Sequence, residues 1–100
     1  MRLVTRPQAE ADLDAIFRYL WERNPTAAAR VQETIGAQVR LLADQPGLGR
    51  PGRTSGTREL VITSTPYIVA YAVDQAHQTV YILRVLHGAQ KWPEDFEEWS

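Results

Sequence analysis

The chain has 100 residues, of which 44% are hydrophobic and 9% aromatic, and its formal net charge is -1. This length and composition predict one folded domain, residues 1–100, and exclude two domains or a disordered chain. Because acidic and basic residues are nearly equal in number, the chain has no overall positive charge that would bind it to nucleic acid. There is no cysteine, and no apolar run is long enough to span a membrane, so we expect a cytoplasmic protein without disulfides.

The first half of the chain is predicted to form a strand and two helices. A short strand is expected at residues 2–5. Apolar residues then recur at spacings of three and four in two consecutive stretches, with charged residues mostly on the opposite side. Asn24 is typical of a helix end, and Pro25 can begin the next helix. Because this joint is so short, the helices are predicted to pack as an antiparallel hairpin.

The second half is predicted to form a loop followed by strands. Residues 45–56 concentrate Gly, Pro and Arg, which is typical of a loop. Three strands separated by turns are expected after it, at residues 57–63, 67–73 and 79–87. The order of elements predicts an α+β fold, in which an N-terminal strand and an antiparallel helical hairpin combine with a mainly antiparallel four-stranded sheet.

The most informative residue of the last predicted strand is Arg84, a cation among residues suited to a buried sheet. Strict alternation of side chains would place Arg84 on one face of the strand and His87 on the other, unless a bulge intervenes. If the helices seal only one face, the opposite face can meet a partner, and a guanidinium there is a good ligand for phosphate or carboxylate. The alternative is an internal salt bridge, to Glu59 or to the acidic tail. A lone His87 at a strand end is more often a structural ring than an acid or base.

The Gly-rich loop supplies a second set of candidate residues. Arg50 and Arg53 lie within it and Arg58 lies beside it, where arginines could bind phosphate. The loop lacks the Gly-Lys-Ser/Thr ending of a nucleotide-binding loop. The alternative is a solvated loop whose arginines offset the acidic tail.

Aromatic residues near the end of the chain form a third candidate surface. Trp92, Phe96 and Trp99 are spaced four and three apart, which predicts a short C-terminal helix with all three on one face. Such a helix either caps the core or contacts a partner, and both roles can belong to one segment.

No motif in the chain points to a reaction. The sequence has no HExxH motif, no paired Asp and Glu at metal-ligand spacing, and no nucleophile elbow. We therefore expect no cofactor and no metal. The residues alone predict a small α+β domain with a cationic strand face.

The segments RELVITSTPYIVAYAV and VYILRVLHGAQKWP, behind a GLGRPGR loop, resemble the RelE/ParE family of toxins from type II toxin-antitoxin systems. The resemblance spans nearly the whole chain, because the PQAEADLDAIFRYL helix and the helical hairpin also fit. It implies a growth-inhibiting toxin, of the kind linked to plasmid stabilization. It also implies a cognate, ParD-like antitoxin that binds DNA and forms a hetero-oligomer with the toxin.

The resemblance implies two alternative targets. Members similar to ParE act on DNA gyrase and are not known as catalysts, whereas members similar to RelE cut messenger RNA in the ribosome. The RNA-cleaving branch carries lysines on the second strand and an arginine near the start of the third, where this chain has Glu59, Val61 and Ile68. The late tyrosine of that branch is also missing after His87. These departures favour the ParE-like function, inhibition of DNA gyrase.

Each alternative assigns roles to particular residues. For a gyrase inhibitor, the candidate contacts with target or antitoxin are Arg58, Arg84, His87, Lys91 and Trp92. For a ribosome-dependent mRNA endonuclease, Arg84 and His87 are the candidate catalytic residues, because RNA cleavage needs a cation and an acid or base at one phosphate. The third possibility is an inactive homologue that acts only as an antitoxin partner.

Overall fold

The computed structural model describes residues 1–90, in which two helices lie on one face of a five-stranded sheet with the order β1-β5-β4-β3-β2. The elements are β1 (Arg2–Thr5), α1 (Pro7–Arg23), α2 (Pro25–Arg40), a 3-10 turn (Leu41–Ala43), β2 (Arg50–Pro51), β3 (Arg58–Val61), β4 (Tyr67–Asp74) and β5 (Thr79–His87). The predicted α+β class, the N-terminal strand and the helical hairpin are confirmed. The predicted C-terminal helix lies outside the described residues.

The sheet differs from the prediction in strand number, whereas its mainly antiparallel character is confirmed. A fifth strand arises because Arg50–Pro51, within the predicted loop, pairs antiparallel with β3. Two residues carry no periodicity, so the sequence could not indicate this strand. The sheet is also mixed, because β1 runs parallel to β5 while the remaining pairs are antiparallel. The long connection through both helices allows β1 to reach the last strand in this direction.

The helical hairpin turns at Asn24, which serves both helices. Its backbone N–H donates to the Leu20 carbonyl at the end of α1, and its side-chain oxygen accepts from the Ala27 N–H at the start of α2. Pro25 stands at the first position of α2, where a missing N–H costs little. Within residues 1–90, neither helix combines the length and apolar character needed to cross a membrane.

The helices and the sheet enclose the main core. Apolar side chains of β3, β4 and β5 alternate towards the helices and meet the apolar stripes of α1 and α2. Fully buried members include Ala9, Leu42, Ile62, Val69, Tyr71 and Val80. Burying a large apolar side chain contributes about 1.5–3 kcal/mol, so this interface is the main source of stability.

Tyr71 attaches the Gly-rich loop to this core. Its hydroxyl donates to the Pro46 carbonyl at 2.8 Å and accepts from the Gly49 N–H at 2.8 Å. A Cβ at Gly49 would lie 2.7 Å from the Tyr71 hydroxyl oxygen and 2.7 Å from the Glu59 carbonyl oxygen. Only glycine allows this close approach. The loop is therefore held on the sheet and is not the freely solvated segment given as an alternative.

The turn between β4 and β5 contains a carboxylate–imidazole contact. One oxygen of Asp74 accepts from the His77 backbone N–H at 3.1 Å, and the other lies 2.8 Å from His77 Nδ1. The side-chain hydrogen bond from His77 is the main cause that holds the pKa of Asp74 below its ordinary value of 3.8.

Replacing Tyr71 by Phe is expected to lower the free energy of unfolding by about 1–3 kcal/mol, because buried loop groups lose their partner. Urea denaturation measures this loss. The matched control is Tyr19→Phe, since Tyr19 is 55% exposed and its hydroxyl has no partner within residues 1–90. A loss in Tyr71→Phe no larger than in the control would contradict the anchoring role.

The contact between Asp74 and His77 predicts a pH dependence. Because the folded pKa of Asp74 is the lower one, the contact stabilises the fold above the unfolded pKa, and this contribution disappears as pH falls through the folded pKa. His77→Ala is expected to raise the pKa of Asp74 towards 3.8. An NMR titration of the Asp74 carboxyl carbon tests this, with Gln75→Ala as control. An unchanged pKa in His77→Ala would be the contrary result.

Candidate functional site

Arg84 is held by the first helix. Its Nε donates to Asp12 Oδ2 at 2.8 Å and its Nη2 donates to Asp12 Oδ1 at 3.0 Å. The backbone N–H of Val85 donates to the same Asp12 Oδ2 at 2.9 Å. The Arg84 and Asp12 side chains are only 14% and 15% exposed. The internal salt bridge considered from the sequence is therefore present, but its acid is Asp12 of α1 and not Glu59.

A bulge in β5 decides which residues share a face. Arg84 lies opposite Ala70 and Ile82 lies opposite Tyr71, so Leu83 is the extra residue. Ile82 and Val85, three positions apart, consequently both belong to the core beneath the helices. The strict alternation predicted for the whole strand is wrong from Leu83 onwards.

The sheet face opposite the helices carries buried apolar side chains at its centre. Ala70, Ala72 and Leu83 form a separate apolar cluster there, and none of the three is more than 7% exposed. Tyr81 packs against this cluster. The expectation that Arg84 belongs to an open cationic strand face is therefore wrong.

Glu59 organises the Arg-rich loop. Its side chain is 2% exposed, and its Oε1 accepts from Arg50 Nη2 at 3.0 Å and Nε at 3.3 Å. Its Oε2 accepts from the Arg53 backbone N–H at 2.9 Å and lies 3.5 Å from Arg53 Nε. A buried carboxylate needs such donors. The guanidinium groups of Arg50 and Arg53, which were predicted to bind phosphate, thus form ion pairs with Glu59. The two arginine side chains are still 55% and 47% exposed.

Arg58 and His87, two of the predicted contact residues, lie at different places. Arg58 Nη2 donates to the Gly47 carbonyl at 3.3 Å, beside the Gly-rich loop. The His87 ring lies edge-on to Tyr67, with ring centroids 5.9 Å apart, and its Nδ1 accepts from the Ala89 N–H at 3.1 Å. This acceptor role assigns the proton of the neutral ring to Nε2.

The two predicted catalytic residues, Arg84 and His87, bind different partners in the structure. Arg84 is bound by Asp12, whereas His87 contacts Tyr67 and the Ala89 N–H. Lys91 and Trp92, the remaining predicted contact residues, lie outside the described part of the chain. Within residues 1–90, no three His, Cys, Asp or Glu side chains are grouped so that they could hold a metal ion.

Sequence reasoning missed Asp12, and it considered Glu59 only as a partner of Arg84 and not of the loop arginines. Asp12 precedes Ile16 by one helical turn, so it borders the apolar stripe of α1 and not its outer side. This position was a usable signal for contact with the sheet. Glu59 follows a loop with several arginines, which indicated an ion pair but not its depth of burial.

Asp12→Ala is expected to lower the free energy of unfolding by about 3 kcal/mol, because it removes the carboxylate that neutralises a mostly buried Arg84. Arg84→Ala should cost a similar amount, and the double variant less than the sum, with a coupling energy of about 1–3 kcal/mol. Urea denaturation of the four proteins measures this coupling. Asp14→Ala, an exposed acid on the same helix, is the control and should change stability by less than about 0.5 kcal/mol. Additive losses would show that the pair is not coupled.

Several known proteins are similar to this chain in sequence and in fold. Residues 3–92 match the family model of the ParE toxin of type II toxin-antitoxin systems, parDE. The protein named "Putative toxin Y4kP" of Sinorhizobium fredii is 46% identical over 82 residues, which is 82% of each chain. Toxin RelE2 of Caulobacter vibrioides is 37% identical over 83 residues, covering 83% of this chain and 90% of that protein.

Solved structures agree with the sequence relatives. A chain of the chromosomal ParDE toxin-antitoxin system from P. aeruginosa superposes with a TM-score of 0.77 at 30% identity, covering 87% of this chain and 95% of that one. A chain of the toxin-antitoxin complex RelBE2 from Mycobacterium tuberculosis gives a TM-score of 0.56 at 28% identity, covering 86% of this chain and 95% of that one. The chain therefore belongs to the ParE toxin family of type II toxin-antitoxin systems.

Proposed function

We propose that this toxin is neutralised by a cognate antitoxin and that, when free, it inhibits DNA gyrase in the cytoplasm. The antitoxin is supported by the solved relatives, because both the ParDE and the RelBE2 structures are toxin-antitoxin assemblies. Gyrase as the target is supported by the family model, which is that of ParE and spans residues 3–92.

The observation that carries this choice of target is the neutralisation of the cationic side chains. Asp12 binds Arg84, and Glu59 binds Arg50 and Arg53. RNA cleavage needs cations that are free to stabilise charge developing on a phosphate. Glu59 moreover stands where the RNA-cleaving branch of the family carries a lysine, so that cation is missing from this chain.

A ribosome-dependent mRNA endonuclease is the second candidate. It is favoured by the 37% identity to the protein named Toxin RelE2. In that function Arg84 would bind the phosphate and His87 would transfer a proton. Arg84 would first have to leave Asp12 and give up two charge-assisted hydrogen bonds, each worth about 1.5–3 kcal/mol. This cost makes catalysis the less favoured proposal.

The proposed contacts with antitoxin or target are Arg58, His87, Lys91 and Trp92. Arg58 is half-buried beside the loop, and His87 is exposed at the end of β5. Arg84 contributes to the same surface by fixing β5 against α1 through Asp12. The resulting complex with the antitoxin is a hetero-oligomer.

Expression of the chain alone from a tightly repressed promoter tests the target. We expect growth arrest, loss of negative supercoiling in a reporter plasmid, induction of the DNA damage response and intact messenger RNA. Cleavage of messages on ribosomes, seen by primer extension, would reject gyrase in favour of the endonuclease. Normal growth at full expression would reject both and support the inactive homologue.

The purified protein allows a test of one contact residue. Arg58→Ala is expected to weaken inhibition of gyrase supercoiling at least about fivefold, the effect of losing about 1 kcal/mol of binding energy. Arg30→Ala removes an exposed arginine of α2 and is the matched control. Circular dichroism verifies that both variants fold. Equal inhibition by both variants would remove Arg58 from the interface.

A further inference from the structure

A cleft of about 300 Å³ lies between α1 and the end of β5. Its aromatic walls are Tyr19, Tyr67 and His87, and Ala15, Ile16 and Val85 supply aliphatic surface. The cleft shares no lining residue with the surface around Glu59, which lies on β3.

Tyr67 brings an unsatisfied hydroxyl to this cleft. The residue is 8% exposed, yet within residues 1–90 its hydroxyl has no hydrogen-bond partner. The pKa of Tyr67 is raised first by its removal from water and second by the neighbouring Tyr19 phenol. Tyr19 and Tyr67 both line the cleft, and the hydroxyl of a mostly buried tyrosine without a partner favours a bound acceptor.

His87 and Gln90 add two more donors. The Nδ1 of His87 accepts from Ala89, which leaves Nε2–H as a donor. The Gln90 Oε1 accepts from the His87 backbone N–H at 3.2 Å, which leaves the Gln90 amide nitrogen as a donor. In the structure described for residues 1–90, neither nitrogen has a partner.

The only carboxylate that lines the cleft, within residues 1–90, is already neutralised. Asp12 accepts three hydrogen bonds, two from Arg84 and one from the Val85 N–H. A carboxylate has about four lone-pair positions, so most of its acceptor capacity is used. The cleft consequently offers several unpaired donors beside apolar walls.

We propose that this cleft receives the side-chain carboxylate of a glutamate presented by a polypeptide partner. The carboxylate supplies the acceptors that the hydroxyls of Tyr67 and Tyr19 and the His87 Nε2–H lack, and the methylenes of glutamate pack on Ile16 and Ala15. The volume lies at the lower limit of small-molecule sites, so it fits one side chain better than a cofactor. This proposal rests on the proposed function, in which His87 is already a contact with a protein partner, and it adds Tyr19 and Tyr67 and the chemistry of the group they receive.

A blocked glutamate, N-acetyl-glutamate N-methylamide, is the probe, and the corresponding blocked glutamine is its neutral isostere. In an NMR titration of the full chain we expect saturable shifts of the Gln90 and His87 amides at millimolar probe. The glutamine probe should bind at least about fivefold more weakly, because charge-assisted hydrogen bonds are the stronger ones. Equal affinity for both probes would overturn the carboxylate preference, and no shift at about 50 mM probe would overturn the site.

Variants assign the binding to these side chains. Tyr67→Phe deletes one hydroxyl and is expected to weaken binding of the glutamate probe at least about fivefold. Tyr81→Phe, which deletes a hydroxyl on the opposite face of the sheet, is the control. If Tyr67→Phe does not fold, His87→Ala at an exposed position removes the Nε2–H donor and gives the same readout. Full affinity in the folded variant, or acetate binding as tightly as the glutamate probe, would overturn the proposal of a side-chain site.

Discussion

The carboxylate of Asp12 is the contact on which the arrangement of the first helix against the sheet depends. It accepts from two nitrogens of Arg84 and from the Val85 N–H, at distances of 2.8 to 3.0 Å. These donors follow the bulge at Leu83, where the regular ladder is interrupted. One acidic side chain therefore satisfies a buried cation and a backbone donor at once, and it joins elements 72 residues apart in the chain.

Glu59 has the corresponding role for the loop. It is buried on β3 and gathers Arg50 and Arg53, while the Tyr71 hydroxyl fixes Pro46 and Gly49 a few residues earlier. The loop is thus held from both ends, by charge at one and by a hydroxyl at the other. Its arginines keep about half of their surface for contact with solvent or a partner.

Together the two carboxylates change what this fold can do. Members of a protein family share the same fold, so differences in function depend on the side chains that the fold carries. Here Asp12 and Glu59 pair with three arginines, Arg84, Arg50 and Arg53. A donor-lined cleft lies separately, between α1 and β5.

The sequence by itself determined the helical hairpin, the strands of the second half and the family resemblance. Each of these depends on local patterns, such as the period of three and four in the helices and the Asn24-Pro25 joint. Only the tertiary structure decided the partner of Arg84, the bulge at Leu83, the parallel pairing of β1 and the burial of Glu59. These features arise from contacts between distant segments, and no local spacing encodes which acid a cation will meet once the elements pack.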